Sequence, residues 1–332
     1  MWKKILLSLL LVIVGVPACG LAYLYLRTPA QVPASAIKVA MTPARIARGR
    51  YIFQNLAHCD DCHSQRDFTR FGGPVVESGR GRGNILSAFM KGVPGTLVAP
   101  NITPDPETGI GNWTDGEKIR AIREGVDRDG RALIPAMPYP HFRNMSDEDV
   151  ESVVAYLDSL SPVRNPLPQT HLAFPIPLLI KGVPQPTGSV PPPDRSDKVK
   201  YGQYLVTLAD CVGCHTPRQK FGQPIPGKEL AGGQMSATSL GTVVSANITP
   251  DLETGIGRWS EEYFLKKFYD YKEYAAGGAP KTEAFTVMPW LAFSQLPPED
   301  LGAIYAFLRT FKPVHNSVET HPDAPKMSSA AR

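Results

Sequence analysis

The sequence has almost no surplus of charge of either sign. Its formal net charge is +4 over 332 residues, and once Lys3, Lys4 and Arg27 of the N-terminal segment are set aside, bases exceed acids by one. That excludes nucleic acid as a partner, because phosphate recognition needs a basic field. The chain also lacks any sustained alternation of apolar and polar residues, so no sheet-built domain is expected. Cysteine is scarce, at five residues. Glycine and proline are plentiful by contrast, at 29 and 33, which makes the chain rich in turns. A hydrophobic share of 42% is ordinary for a globular protein and excludes both a disordered chain and a multi-span membrane protein. The length allows two domains of about 150 residues with connecting segments.

One long uncharged run is present. Ile5 to Leu26 carries no charge, is opened by Lys3 and Lys4, and is closed by Arg27. About 20 apolar residues suffice to cross a bilayer as a helix, so residues 1–27 read as an N-terminal membrane anchor. Val16-Pro17-Ala18 before Cys19 leaves two alternatives, a cleaved leader or a lipidated Cys19. The apolar run continues through Leu21 to Leu26, further than a leader needs. All three readings export the body of the protein.

The rest of the chain repeats itself. Cys59-Asp60-Asp61-Cys62-His63 recurs as Cys211-Val212-Gly213-Cys214-His215. Asn101-Ile102-Thr103-Pro104-Asp105, with Glu107-Thr108-Gly109-Ile110-Gly111 and Trp113, recurs from Asn247 to Trp259, and Met137-Pro138 recurs as Met288-Pro289. Such matched blocks mark a duplication. Each copy carries the same helical signals. Thr42 and Pro43 read as an N-cap and first-turn proline of a helix ending near His58, matched by residues 198–210. Thr114 and Ser260 open mid-domain helices. Val150, Val153, Val154, Leu157 and Leu160 line one face of a closing helix, and Leu301, Ile304, Tyr305, Leu308 and Phe311 line its counterpart. Gly49 and Gly202, on the helices before each cysteine motif, allow the closing helices to approach closely. Both copies therefore read as all-α domains, at 40–161 and 197–315. Residues 162–196 read as an extended linker, with 10 prolines between Pro162 and Asp194, and 316–332 as a tail.

Cys-x-x-Cys-His is the attachment signal for c-type haem. One helical turn sets two thiols beneath two vinyl groups, and the adjacent histidine reaches the iron. A zinc site would want its cysteine pairs roughly 15–20 residues apart, far closer than these motifs lie. Two covalently bound haems are expected, on Cys59, Cys62 and His63 and on Cys211, Cys214 and His215. For the sixth iron ligand the duplication favours Met137 and Met288, each before a proline and a closing helix, while Met90 and Met235 form the rival pair. Met145 has Leu296 as its counterpart and His141 has Ala292, so neither position is matched by a second ligand. Trp113 and Trp259 read either as donors to a haem propionate or as structural indoles, and Asn101 and Asn247 as ordering a loop over the haem edge or as turn residues. His58, His171, His315 and His321, lacking matched partners, read as solvated.

At these motifs the chain resembles bacterial diheme cytochromes c, in particular the membrane-bound cytochrome c subunits that take electrons from periplasmic alcohol, gluconate and aldehyde dehydrogenases. The resemblance covers about residues 40–315. It implies two tandem class I cytochrome c folds behind a transmembrane helix, with His63 and Met137, and His215 and Met288, as axial pairs. It also implies electron flow from a dehydrogenase or other donor to quinone, an oxidase or another cytochrome at the bacterial inner membrane, with the haem domains in the periplasm and no substrate site of the chain's own. Those dehydrogenase subunits usually hold three haems, whereas two motifs are present here. The competing class is a diheme enzyme, a peroxidase or a thiosulfate-oxidising cytochrome, which needs one iron with a displaceable ligand. A structural haem-binding adaptor is a third reading.

Overall fold

The computed structural model describes residues 2–219, 222–277 and 285–323. Helix α1 (Trp2–Leu26) takes up the apolar run and is exposed along its length. Its composition and length suffice to cross a membrane.

The first domain opens with α2 (Pro43–Tyr51), capped by Thr42, whose hydroxyl accepts from Arg45 N at 3.2 Å. The helix runs on as a π-helical turn, Ile52–Leu56, and the short α3 (Asp60–His63) follows. Next come α4 (Asp115–Glu124), with a full capping box between Thr114 and Glu117, then α5 (Tyr139–Phe142) and α6 (Asp147–Asp158), where the Ser146 hydroxyl accepts from Asp149 N at 3.2 Å. After a short α7 (Ile176–Leu179), the second domain repeats the order with one helix, α11, added: α8 (Lys198–Leu208), α9 (Cys211–His215), α10 (Glu261–Tyr269), α11 (Lys272–Gly277), α12 (Trp290–Phe293) and α13 (Pro298–Leu308).

The expectation of purely helical domains is corrected in one respect. Among the described residues, three antiparallel pairs of very short strands punctuate the loops: β1 (Asn84–Ile85) with β3 (Val98–Ala99), β2 (Gly95–Thr96) with β4 (His171–Leu172), and β5 (Met235–Ala237) with β6 (Thr242–Val244). Strands of two or three residues are too short to leave an alternating pattern in the sequence.

The first and last helices of each domain cross in close contact, α2 on α6 and α8 on α13. A Cβ on Gly49 would stand 1.8 Å from the carbonyl oxygen of Ser152, and one on Gly202 would stand 1.9 Å from that of Ala303. Only glycine permits backbones this close, so the role expected of both residues is the observed one. Around the crossings, Ile52, Phe53, Leu56, Val150, Val153 and Val154 fill the first core and Leu205, Leu208, Leu301, Ile304 and Leu308 the second, and the two cores are contiguous.

The proline-rich segment does not stand away as a free linker. Val163 and Asn165 bond back into the Asn101–Thr108 loop, Thr170 pairs with Val98, and Leu172 and Leu178 are buried. Proline composition favours extended chain, but extended chain is also what a two-residue ladder and a row of loop acceptors can hold down. Residues 324–332 of the expected tail lie outside the described residues; the nearer part is tied down where Val244 N donates to Thr320 O at 2.9 Å.

Candidate functional site

Each cysteine motif begins at a residue forced into left-handed backbone, His58 at φ 36° and Asp210 at φ 51°. The reversal ends the long helix and starts the short one. Within it, His63 N donates to Cys59 O at 3.0 Å, which closes a turn and places Cys59, Cys62 and His63 at positions i, i+3 and i+4, on one face. In the second copy the Asp210 carboxylate accepts from Gly213 N at 3.1 Å and holds the same turn.

The two histidines are oriented identically. His63 Nδ1 donates to the carbonyl of Pro100 at 2.9 Å, and His215 Nδ1 to that of Ala246 at 2.7 Å. A carbonyl can only accept, so the proton is fixed on Nδ1 and the lone pair on Nε2. Burial pushes both imidazoles below the usual histidine value and keeps them neutral. A neutral ring with its second nitrogen anchored to a carbonyl is the arrangement a metal-ligating histidine requires. The acceptors Pro100 and Ala246 went unremarked in the sequence; the signal was their position directly before the repeated Asn-Ile-Thr-Pro blocks.

None of the four motif cysteines is paired in a disulfide. Burial is the main cause that pushes Cys62 and Cys214 up to about 11 and Cys211 up to about 12, and it raises Cys59 further. Before a haem is attached they would be protonated thiols, poor ligands for a bare cation. Among the described residues no cluster of three or more His, Cys, Asp or Glu could hold a metal ion by itself. Two thiols and one neutral imidazole on a single helical face suit a group that bonds the sulfurs covalently and brings its own iron.

Met137 and Met288 sit in matching turns. Tyr139 N donates to Met137 O, and Trp290 N to Met288 O, both at 2.8 Å, and Pro138 and Pro289 cap α5 and α12 with nearly the same dihedrals. Both methionines are half-buried against the core. Their rivals are placed differently: Met90 is 43% exposed on an isolated bridge, and Met235 is 62% exposed at the start of β5. Met145 and its counterpart Leu296 are both core residues at 1% exposure.

The Asn-Ile-Thr-Pro blocks staple each domain shut. Asn101 Nδ2 donates to Val163 O at 2.7 Å and to the Thr108 hydroxyl at 2.9 Å, while its Oδ1 accepts from Thr103 N at 3.0 Å and from the Thr103 hydroxyl at 2.8 Å. Asn247 repeats the set with Val314, Thr254 and Thr249. Asn101→Ala or Asn247→Ala strands these buried partners, and each is expected to lower stability by about 1–3 kcal/mol in guanidinium unfolding. Trp113 and Trp259 are half-buried against the core, and each closes its glycine-rich loop by donating its backbone N–H, to Ile110 O and to Ile256 O, at 3.0 Å.

The two domains meet across a reciprocal contact. The Tyr51 hydroxyl, from α2, donates to Asp300 of α13, and the Tyr204 hydroxyl, from α8, donates to Asp149 of α6 at 2.6 Å. Each aspartate is also held from its own domain, Asp149 by Arg48 at 2.7 Å and Asp300 by Tyr201 at 2.9 Å. The sequence expectation of a solvated His58 is corrected here. Its ring stands 3.2 Å from Asp61, meets Phe293 of the other domain edge-on at 5.6 Å, and places Nε2 3.4 Å from Ala209 O. Asp61 raises it above the ordinary histidine value although burial pulls the other way. His141 lies at the same interface, 2.5 Å from Asp210, and so serves the domain contact.

The family model described as Cytochrome c matches residues 46–161 and 199–312. One of the subunits of nicotinate dehydrogenase from Pseudomonas putida is 36% identical over 266 residues, covering 74% of this chain and 20% of that protein. The cytochrome c subunit of alcohol dehydrogenase (quinone) from Gluconacetobacter polyoxogenes is 31% identical over 295 residues, covering 83% of this chain and 58% of the relative. A diheme cytochrome c-type protein of Cereibacter sphaeroides is 32% identical over 270 residues, covering 79% and 84%. The chain thus spans about a fifth of the first of these relatives, under two thirds of the second and most of the third.

Proposed function

The chain belongs to the cytochrome c family and holds two covalently attached c-type haems, and from that premise we propose that it is a membrane-tethered carrier relaying electrons from a dehydrogenase. In this reading Cys59 and Cys62, and Cys211 and Cys214, are the attachment points, and His63 with Met137 and His215 with Met288 are the axial residues. The single observation behind it is the repeated tautomer lock: both motif histidines give Nδ1–H to a backbone carbonyl, and both domains present a half-buried methionine in the same Met-Pro turn.

When bound, the haem supplies one-electron exchange at iron. The residues of the chain set its conditions. Thioether sulfur with imidazole favours the reduced state and raises the potential. With His63 and Met137 holding one iron and His215 and Met288 the other, neither site would offer an open position for a substrate, which is the property of a carrier. The reciprocal Tyr51–Asp300 and Tyr204–Asp149 bonds hold the two domains together, with His58, directly before one motif, 3.4 Å from the Ala209 carbonyl that lies two residues before the other, so an electron received by one domain has a short route to the other.

The tether is the anchor 1–27, the haem domains are 40–161 and 197–315 on its periplasmic side, and residues 162–196 join them at the bacterial inner membrane. The donor is a periplasmic dehydrogenase; two of the compared relatives are subunits of dehydrogenases by name. The acceptor is quinone, an oxidase or another cytochrome in the same membrane. Absorption and magnetic spectra of the ferric protein test the proposal. Two low-spin centres with sulfur-to-iron charge transfer are expected, and a reductive titration should take up two electrons. A high-spin centre that turns over peroxide would overturn it in favour of a diheme peroxidase.

A further inference from the structure

Helix α1 does not leave the protein unaccompanied. At its end the Arg27 guanidinium donates to Leu178 O at 2.8 Å and to Leu179 O at 2.9 Å. Lys181 Nζ donates to Tyr25 O at 2.8 Å and stands 5.8 Å over the Tyr25 ring. These contacts hold the segment 172–181 at the depth of the last turn of the helix.

That depth follows from length. At 1.5 Å per residue the uncharged run from Ile5 to Leu26 is about 33 Å long, close to the ~30 Å hydrocarbon core. With Lys3 and Lys4 at one boundary, Arg27 falls at the other. Tyr23 and Tyr25, 67% and 69% exposed, mark the interfacial belt there. At this level the segment turns apolar side chains outward, with Phe174 71% and Leu179 50% exposed, while Leu172 and Leu178 face the protein. Residues 172–181 contain no acidic side chain. Between the segment and the helix runs an open, apolar groove of about 830 Å³, lined by Ala18, Leu21, Ala22, Tyr25, Phe174 and Leu178 among others.

We propose that residues 172–180 form a second, monotopic membrane contact, with Phe174 and Leu179 at the boundary of headgroups and acyl chains and a lipid acyl chain filling the groove. The occupant is lipid because the patch is continuous with the span: the groove has one wall from the helix, and two cations bonded to residues that line it, Arg27 to Leu178 and Lys181 to Tyr25, suit anionic headgroups. Since β4 pairs with β2, this contact would also hold the first haem domain at one attitude to the bilayer. The inference rests on the reading of α1 as a retained anchor.

The test uses the full haem-loaded chain in vesicles of phosphatidylethanolamine and phosphatidylglycerol doped with a phosphatidylcholine that carries a diazirine on its acyl chain. After irradiation, mass spectrometry locates the adducts. Adducts on both the helix peptide and the 172–180 peptide are expected, and the double variant Phe174→Asp/Leu179→Asp should lower labelling of the latter by about tenfold while helix labelling is retained. Adducts confined to the helix would overturn the inference and leave the anchor standing. Absence of adducts from both peptides would overturn the anchor reading and the inference with it.

Discussion

Replacing Gly202 by alanine is expected to destabilise the protein by about 3 kcal/mol, at the upper end of the usual cost of overpacking, and Gly49→Ala should do the same in the first domain. Alanine on an open helix surface is favoured over glycine by up to about 1 kcal/mol, so intrinsic propensity predicts the opposite sign. Sterics decide. The added methyl carbon would stand 1.9 Å from the Ala303 oxygen and 2.9 Å from the Phe307 Cβ, or, at Gly49, 1.8 Å from the Ser152 oxygen and 2.8 Å from the Tyr156 Cβ. Two of these neighbours are backbone, which cannot swing aside as a side-chain tip can. The helices must separate, and with them the core residues Leu205 and Leu301, both fully buried. Gly188, with nothing within 4 Å of its virtual Cβ, is the control, and Gly188→Ala should leave the midpoint nearly unchanged. Guanidinium unfolding followed by far-ultraviolet circular dichroism decides the matter. Equal midpoints for Gly202→Ala and the unmodified protein would show that the crossing is looser than described.

The second large effect concerns the iron ligands. Met137→Ala or Met288→Ala should remove the sulfur-to-iron band of one centre only and lower that centre's midpoint potential by roughly 0.1 V or more, a fraction of the ~0.8 V that axial ligands command. Without the thioether the iron would lose the ligand that favours its reduced state. The other centre should keep its band, because each methionine belongs to its own turn and its own domain. The exposed pair supplies the contrast: Met90→Ala with Met235→Ala should alter neither potential. If both centres kept their potentials in both single variants, the assignment of Met137 and Met288 would be wrong.

Much of this arrangement was legible in the residues because duplication filters coincidence. A glycine two residues before a tyrosine, at Gly49 and Gly202, or a methionine before a proline, at Met137 and Met288, gains meaning by occurring twice. Helix starts were legible because their caps are local: Thr42, Thr114 and Ser260 each satisfy an N–H a few residues away. What escaped is what depends on tertiary neighbours. His58 has no counterpart histidine and so read as solvent-facing, yet its partners, Asp61, Ala209 and Phe293, come from its own motif and from the other domain. The proline-rich stretch was read by composition, which reports backbone stiffness and is silent on whether Val98 or Arg27 waits to receive it. The carbonyls of Pro100 and Ala246 carry no side-chain signature at all.

The crossed tyrosine and aspartate bonds have one more implication. A patch that offers a phenol and a carboxylate, and receives the same two groups from its twin, is isologous in the sense used for symmetric homodimers. Here the twins are fused, so each half meets its mate by an intramolecular encounter that dilution cannot weaken. A dimer's concentration dependence has been exchanged for a length of polypeptide, and each half has become free to drift in sequence, as His141 and Ala292 already have, without losing its companion.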